Sequence, residues 1–370
     1  MYRESAIFSS ESTRFPGSLR LLLCGCLLFL LAACSSAGSA SSTTSTPTSF
    51  ANSTQATTPS PTASVPTIST PLVKYSGHTG PAIEAVWSPD SKHLASCGND
   101  GTVQVWDAST GHKLWDVSLS RYVFAVAWSP NGQTVAGAGD NGVISFMNAA
   151  NGHTESTIAA QVGFIEGLVW SPDGKFIASG SQDNTVKVWN VQTGKLLFTY
   201  TGHTASVARI GWSPDGTRIA SASSDQTVQV WDAKTGKALL TYKGQAAPIW
   251  AVAWSPDGKR IVSGTGAAGS TGPVTTNNSI KVWNAMTGQT LLTYTGAPGQ
   301  AYGLAWSPDG TRIASGGDDH IVRVWNADTG QTLMQFQGHT DIIFQVTWSP
   351  DGTRIASASV DGTVQVWRLP

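Results

Sequence analysis

Charge is scarce in this chain. Asp, Glu, Lys and Arg make up 12% of its 370 residues, and 22 basic against 23 acidic side chains leave a formal charge of −1. A domain so nearly neutral has no electrostatic footprint for nucleic acid. Cysteine is also rare, with four in all. Cys24, Cys26 and Cys34 crowd the N-terminal region, so Cys97 stands alone further on, where no intramolecular disulfide is possible. A lone cysteine in a strand reads as a small core residue. The histidines are scattered and show no metal-ligand spacing to one another or to cysteine. The Gly-rich stretch Gly264–Gly272 lacks the Lys and Ser/Thr that a phosphate loop needs. The chain offers no catalytic residue, no metal site and no cofactor site.

Long apolar runs are missing too. The longest, Leu19–Ala33, is interrupted by Arg20 and Gly25. It falls short of the ~20 residues that span a ~30 Å bilayer core. With Arg14 and Arg20 at its start it suits the core of a secretory signal. It ends in Leu31-Ala32-Ala33-Cys34, which resembles a bacterial lipoprotein cleavage box. That resemblance implies a signal peptide over 1–33 and Cys34 as the lipid-modified first residue of the mature chain, with acyl chains such as palmitate. A signal anchor and an ordinary cleaved signal are the alternatives. Between Ser35 and Pro71, 26 of 37 residues are Ser, Thr or Pro and none is charged. Such a segment cannot bury enough apolar surface to offset its ordering entropy, so 34–71 is predicted to be a disordered tether behind the lipid.

What the rest of the chain has is a repeat. The pentapeptide WSPDG or a near copy begins at Trp87, Trp128, Trp170, Trp212, Trp254, Trp306 and Trp348, at spacings of 41, 42, 42, 42, 52 and 42. Nineteen residues after six of them stands a second position, normally Trp followed by Asp or Asn; in the fifth unit it is Trp283, 29 residues on. A fixed period near 42 marks a repeat architecture. One unit reads as four strands of about five residues joined by tight turns, with no room for a helix. A single such sheet cannot bury both faces, whereas seven stacked radially can. The last unit stops after its third strand, and Leu72–His78 matches the missing fourth. The prediction is an all-β, closed seven-bladed β-propeller over 72–370, with an N-terminal strand at about 72–76 completing the last blade.

These phased copies resemble the WD-repeat family over residues 72–370. The family's Gly-His pair stands at Gly77-His78, Gly202-His203 and Gly338-His339. The resemblance implies structural networks of His78, Ser96, Asp100 and Trp106; of His203, Ser221, Asp225 and Trp231; and of His339, Ser357, Asp361 and Trp367. Blade 2 departs most, with Leu119, Gly137, Asn141 and Met147 at those places, and is expected to be the softest. Lys92, Lys175, Arg218, Arg260, Arg312 and Arg354 follow the first turns; each lies near a turn Asp, which predicts local solvated pairs rather than a basic rim.

The same resemblance places partner contacts on the rim that carries the second-to-third turns and the blade-to-blade connections. Position by position it selects Tyr122, Phe124, Phe164, Trp250, Tyr302 and Phe344 as an aromatic ring, the kind of surface protein and peptide sites use. The ten extra residues of blade 5, within Gly264–Ser279, fall on that rim and are expected to form a mobile loop, acting as a flap or simply tolerated. The expectation is a monomeric, non-catalytic interaction scaffold, lipid-tethered outside the cytoplasm of a bacterium, with a protein or peptide partner and no nucleic acid. The alternative is a receptor for a small peptide or carbohydrate at the channel mouth.

Overall fold

The computed structural model describes residues 64–266 and 280–370. The signal peptide, Cys34, most of the tether and residues 267–279 of the blade 5 insertion lie outside the described residues. Among those described there is no helix, and the strands form seven sheets arranged in a ring, each built on four antiparallel strands. The seven-bladed β-propeller read from the 42-residue period is borne out. The first strands of the blades are Ala82–Trp87, Val123–Trp128, Ile165–Trp170, Val207–Trp212, Ile249–Trp254, Ala301–Trp306 and Ile343–Trp348. Each touches the first strands of both neighbours, so these seven line the central channel. Between blades, the buried Trp, Ile, Val and Ala side chains form seven clusters, each shared by two adjacent sheets.

Closure follows the predicted route. Val73–Tyr75 pairs antiparallel with Val364–Val366 and supplies the fourth strand of blade 7. Tyr75 then reaches into blade 1: its ring stacks on Trp106 at 4.4 Å, and its hydroxyl donates to Gln104 Oε1 at 2.5 Å. First and last repeats are therefore locked by hydrogen bonds and ring stacking, and the third strand of blade 7 is not left as an open edge.

The start of the propeller needs a correction. The segment up to Pro71 was predicted to be disordered, yet Thr67–Ile68 forms a fifth strand on the outer edge of blade 6, parallel to Gln335–Phe336. The Gln335 amide donates to the Pro66 carbonyl at 2.9 Å, and Ile68 packs half-buried against the core between blades 6 and 7. Composition averages over the segment, whereas one isoleucine beside an unpaired edge is enough to order its last residues. The chain thus straps two neighbouring blades before entering the repeats.

The rim arginines correct a second expectation. Arg218, Arg260, Arg312 and Arg354 each lay the guanidinium over the first-strand tryptophan of the next blade, at 4.8, 4.6, 4.9 and 4.7 Å from the rings of Trp254, Trp306, Trp348 and Trp87. Arg218 and Arg260 also donate to the carbonyls of Gly258 and Gly310 in the next blade, at 3.0 and 3.1 Å. The turn aspartates Asp215, Asp309 and Asp351 are secondary partners at 3.5–3.8 Å. A planar cation stacks and hydrogen-bonds at once, so these residues clamp blades together, and three of them keep the expected pair with their turn aspartate as well.

Candidate functional site

Every first strand carries a register shift near its start. Ile249 faces Thr265 while Ala251 faces Gly264, so Trp250 is an extra, unpaired residue; the same shift recurs in all seven blades. A bulge re-aims its side chain out of the sheet pattern. The bulged residues are Ile83, Phe124, Glu166, Ala208, Trp250, Tyr302 and Phe344, which surround one mouth of the channel. Four of the six predicted partner-contact residues thus occupy a bulge, and Tyr122 and Phe164 lie just before one.

The rings gather into two arcs. Tyr122 and Phe124 are 6.1 Å apart, and Phe124 meets Phe164 of the next blade at 5.6 Å. Across the mouth, Trp250 meets Tyr302 edge-on at 6.1 Å, and Tyr302 meets Phe344 at 5.7 Å. Tyr122, Phe124, Phe164, Trp250 and Phe344 are half-buried. Tyr302 is buried and donates its hydroxyl to Gln300 Oε1 at 2.5 Å, so it supports the other two rings from beneath. Trp250 keeps its indole Nε1 out of solvent with no hydrogen-bond partner. Gly266, where the insertion leaves the second strand, lies against this arc; a Cβ there would stand 3.1 Å from Trp250 Cδ1 and 3.0 Å from Tyr302 Cε1.

Below the rings the channel holds polar groups that sequence reasoning missed. The residue after each bulge is Ala or Gly in four blades, but Glu84, Arg209 and Gln345 in the others. Glu84 is buried; it accepts from the Val126 amide at 3.0 Å and from Gln345 Nε2 at 3.4 Å. Arg209 donates to the Glu166 carbonyl at 2.7 Å, while its Nε is buried without a partner. Burial pushes the carboxyl of Glu84 above its ordinary range against the pull of Arg209, and pushes Glu166 up to about 7. A long polar residue at a strand position where the other copies have Ala or Gly is the signal that would have found Glu84, Arg209 and Gln345.

The three named networks come together at the blade seams. His78 Nδ1 lies 2.9 Å from Asp100 Oδ2 and its Nε2 lies 2.8 Å from Ser96 Oγ, to which Trp106 Nε1 donates at 3.1 Å. His203 with Asp225, Ser221 and Trp231, and His339 with Asp361, Ser357 and Trp367, repeat the geometry. Burial opposes ionisation of Asp100, but bonds from His78, Thr102 and the Thr79 amide outweigh it and hold the carboxyl at about 2. Each serine oxygen is enclosed between histidine and tryptophan and faces no cleft, so the triads are structural. Elsewhere substitutes serve. Gln161 and Gln245 bond Ser179 and Ser263, and in blade 6 Arg323 pairs with Asp319 at 2.5 Å. In blade 2 the network is replaced wholesale by apolar packing, with Met147 fully buried and Leu119 filling the space over Gly137. Among the described residues, no group of three or more His, Cys, Asp or Glu is placed to hold a metal ion.

Ring, channel and networks define a β-propeller whose most feature-rich surface is an aromatic mouth. The family model for the WD domain, G-beta repeat, matches residues 236–284, 288–326 and 330–368. A model of the echinoderm microtubule-associated protein second beta-propeller matches 82–239. The chain thus carries WD repeats in its C-terminal part, within a ring that is a seven-bladed β-propeller. Among curated proteins it is similar to the ribosome biogenesis protein ERB1 of Ajellomyces capsulatus, 42% identical over 62 residues, which is 17% of this chain and 8% of that protein. It is also similar to erb1 of Aspergillus clavatus, 44% identical over 46 residues, 12% of this chain and 6% of that protein. These matches span little more than one repeat.

Proposed function

We propose that this protein is a non-catalytic interaction scaffold, tethered by lipid on Cys34 outside the cytoplasm of a bacterium, that binds a protein or peptide at the aromatic mouth. The observation carrying this reading is the pair of half-buried aromatic arcs around the mouth. Rings bury large area at little entropic cost. WD-repeat propellers generally bind protein partners. The ribosome-related role named in the fungal relatives is not carried over, because the match is so short and the net charge is near zero.

The channel favours a second reading. Glu84, Glu166, Arg209 and Gln345 beneath the rings would suit a small ligand with polar ends. One experiment separates the two. Residues 65–370 serve as bait in cross-linked pull-downs from envelope extracts, beside a folded variant carrying Phe124→Ala, Trp250→Ala and Phe344→Ala. A partner held by the first and lost by the second supports the scaffold. Equal recovery by both removes the mouth from the account, and no recovery with ligand-dependent thermal stabilisation moves the receptor ahead. For the tether, Cys34→Ser is expected to abolish labelling by a palmitate analogue and release the protein from membranes.

A further inference from the structure

The arginine clamps supply their own template for a vacant site. On the rim opposite the aromatic mouth, the first residue of the second strand lies against the next blade's tryptophan. Four seams carry arginine there. His93 stacks on Trp128 at 6.5 Å, and Phe176 packs into the cluster that holds Trp212. The seam between blades 2 and 3 has Thr134, which is too short to cover anything. Trp170 is nevertheless seated like the clamped tryptophans. Its indole Nε1 donates to the Ala127 carbonyl at 3.3 Å, as Trp254, Trp306 and Trp348 donate to Gly211, Ala253 and Ala305 of their preceding blades.

Where the guanidinium stands in the other seams, this one has a cavity of about 410 Å³, lined by Thr134, Asn131 and Pro130 on one side and Trp170, Asp173 and Gly174 on the other. The local anion has gone with the cation: blades 4, 6 and 7 pair their arginine with Asp215, Asp309 and Asp351, whereas the blade 2 turn carries Asn131. The far wall still offers the Asp173 carboxylate, whose contact with the exposed Lys175 is a loose 3.6 Å. It also offers the Gly174 carbonyl, the counterpart of the Gly258 carbonyl that Arg218 uses.

We propose that this seam binds a guanidinium group, the arginine side chain of a protein partner, which completes the fifth clamp in trans. The chain's own arginines meet an indole face and a carboxylate in all four seams and a backbone carbonyl of the next blade in three, so the chemistry is tested within the molecule. A planar cation stacks and donates in plane together, and a neutral isostere keeps shape without charge. The site is on the opposite rim from the aromatic mouth and does not depend on what binds there.

The test titrates N-acetyl-arginine amide into the full-length chain labelled at tryptophan indole nitrogen, with the Trp170 resonance identified by its loss in Trp170→Phe. We expect that resonance to shift and saturate, and N-acetyl-citrulline amide to bind at least about tenfold more weakly, a difference of the size one charge-dependent contact gives. Thr134→Arg fills the cavity from within and should abolish the shift. Asp173→Asn, which keeps the oxygen that accepts from Ser171 as Asn131 does from Ser129, should weaken it severalfold. The proposal is overturned if the Trp170 resonance does not move, if citrulline amide binds equally well, or if both variants titrate as the parent does.

Discussion

Phe336 meets Trp367 at a tilt of 37° and 5.3 Å, while the corresponding tyrosines Tyr75, Tyr200, Tyr242 and Tyr294 stack on their tryptophans within 4–7°. The hydroxyl explains the difference. Tyr75 and Tyr200 donate to Gln104 and Gln229, which fixes the ring plane; Phe336 has nothing to donate, and Gln365 Oε1 is left buried without a partner.

Phe336→Tyr is therefore expected to stabilise the propeller. It gives a buried acceptor its donor and adds one hydroxyl where the chain already builds that geometry, worth about 1 kcal/mol. Thermal melts at pH 7 check it. No gain, or a loss, would mean the seam between blades 6 and 7 lacks room for the oxygen.

Truncation should separate the two N-terminal straps. Starting the chain at residue 70 removes Thr67–Ile68 and exposes the blade 6 edge, with a cost of about 1–2 kcal/mol from one half-buried isoleucine and its backbone bonds. Starting it at residue 77 also removes Val73–Tyr75, opens the ring and leaves Trp106 without its stacking partner. The first protein should remain a monomer by size exclusion, and the second should aggregate.

Acid and base should act on different carboxyls. Asp100 is held at about 2, below its ordinary 3.8, so its contribution is present above pH 4 and fades as pH falls toward 2. Glu166 is raised from 4.5 to about 7, so the folded state holds the proton more tightly. Its contribution is complete below pH 4.5 and is lost as pH rises through 7. Melting temperature should fall between pH 5 and 8, and Glu166→Gln should flatten that slope, with Glu84 supplying what remains. Parallel slopes in parent and variant would place the titration elsewhere.

Restoring one residue of the missing network in blade 2 should fail. Gly137→Ser looks like a return to the pattern of Ser96 and Ser221. A Cβ at Gly137, however, would stand 2.7 Å from both Leu119 Cδ1 and Val103 Cγ2. We expect a loss of about 1–3 kcal/mol, the usual cost of overpacking, read by urea denaturation. The same contacts bear on the expectation of a soft blade: Leu119 and Met147 pack over Gly137 and fill the seam.

Periodicity carried most of the fold. The seven WSPDG-like turns gave blade number, strand order and the closing strand, because turn chemistry and alternation are local properties that recur in phase. The aromatic mouth was legible as a set of positions, since the bulge recurs at one place in every first strand. The division of Tyr302 from Trp250 and Phe344 was not, because all three stand at the same repeat position and differ only in what lies behind them. Thr67–Ile68 was hidden by the composition around it.

By itself, then, the sequence determined the ring: its count, its phase and the turns that repeat every 42 residues. Tertiary structure decided everything that depends on neighbours across a seam. The rim arginines have turn aspartates beside them in the sequence, yet Arg218 and Arg260 stack on tryptophans of the next blade, Trp254 and Trp306, where a planar cation finds both a π face and a carbonyl. Glu84 and Arg209 belong to blades 1 and 4, and only the closed ring brings their charges within reach of one another. Local propensity fixes the blades, whereas desolvation and packing between them set the chemistry.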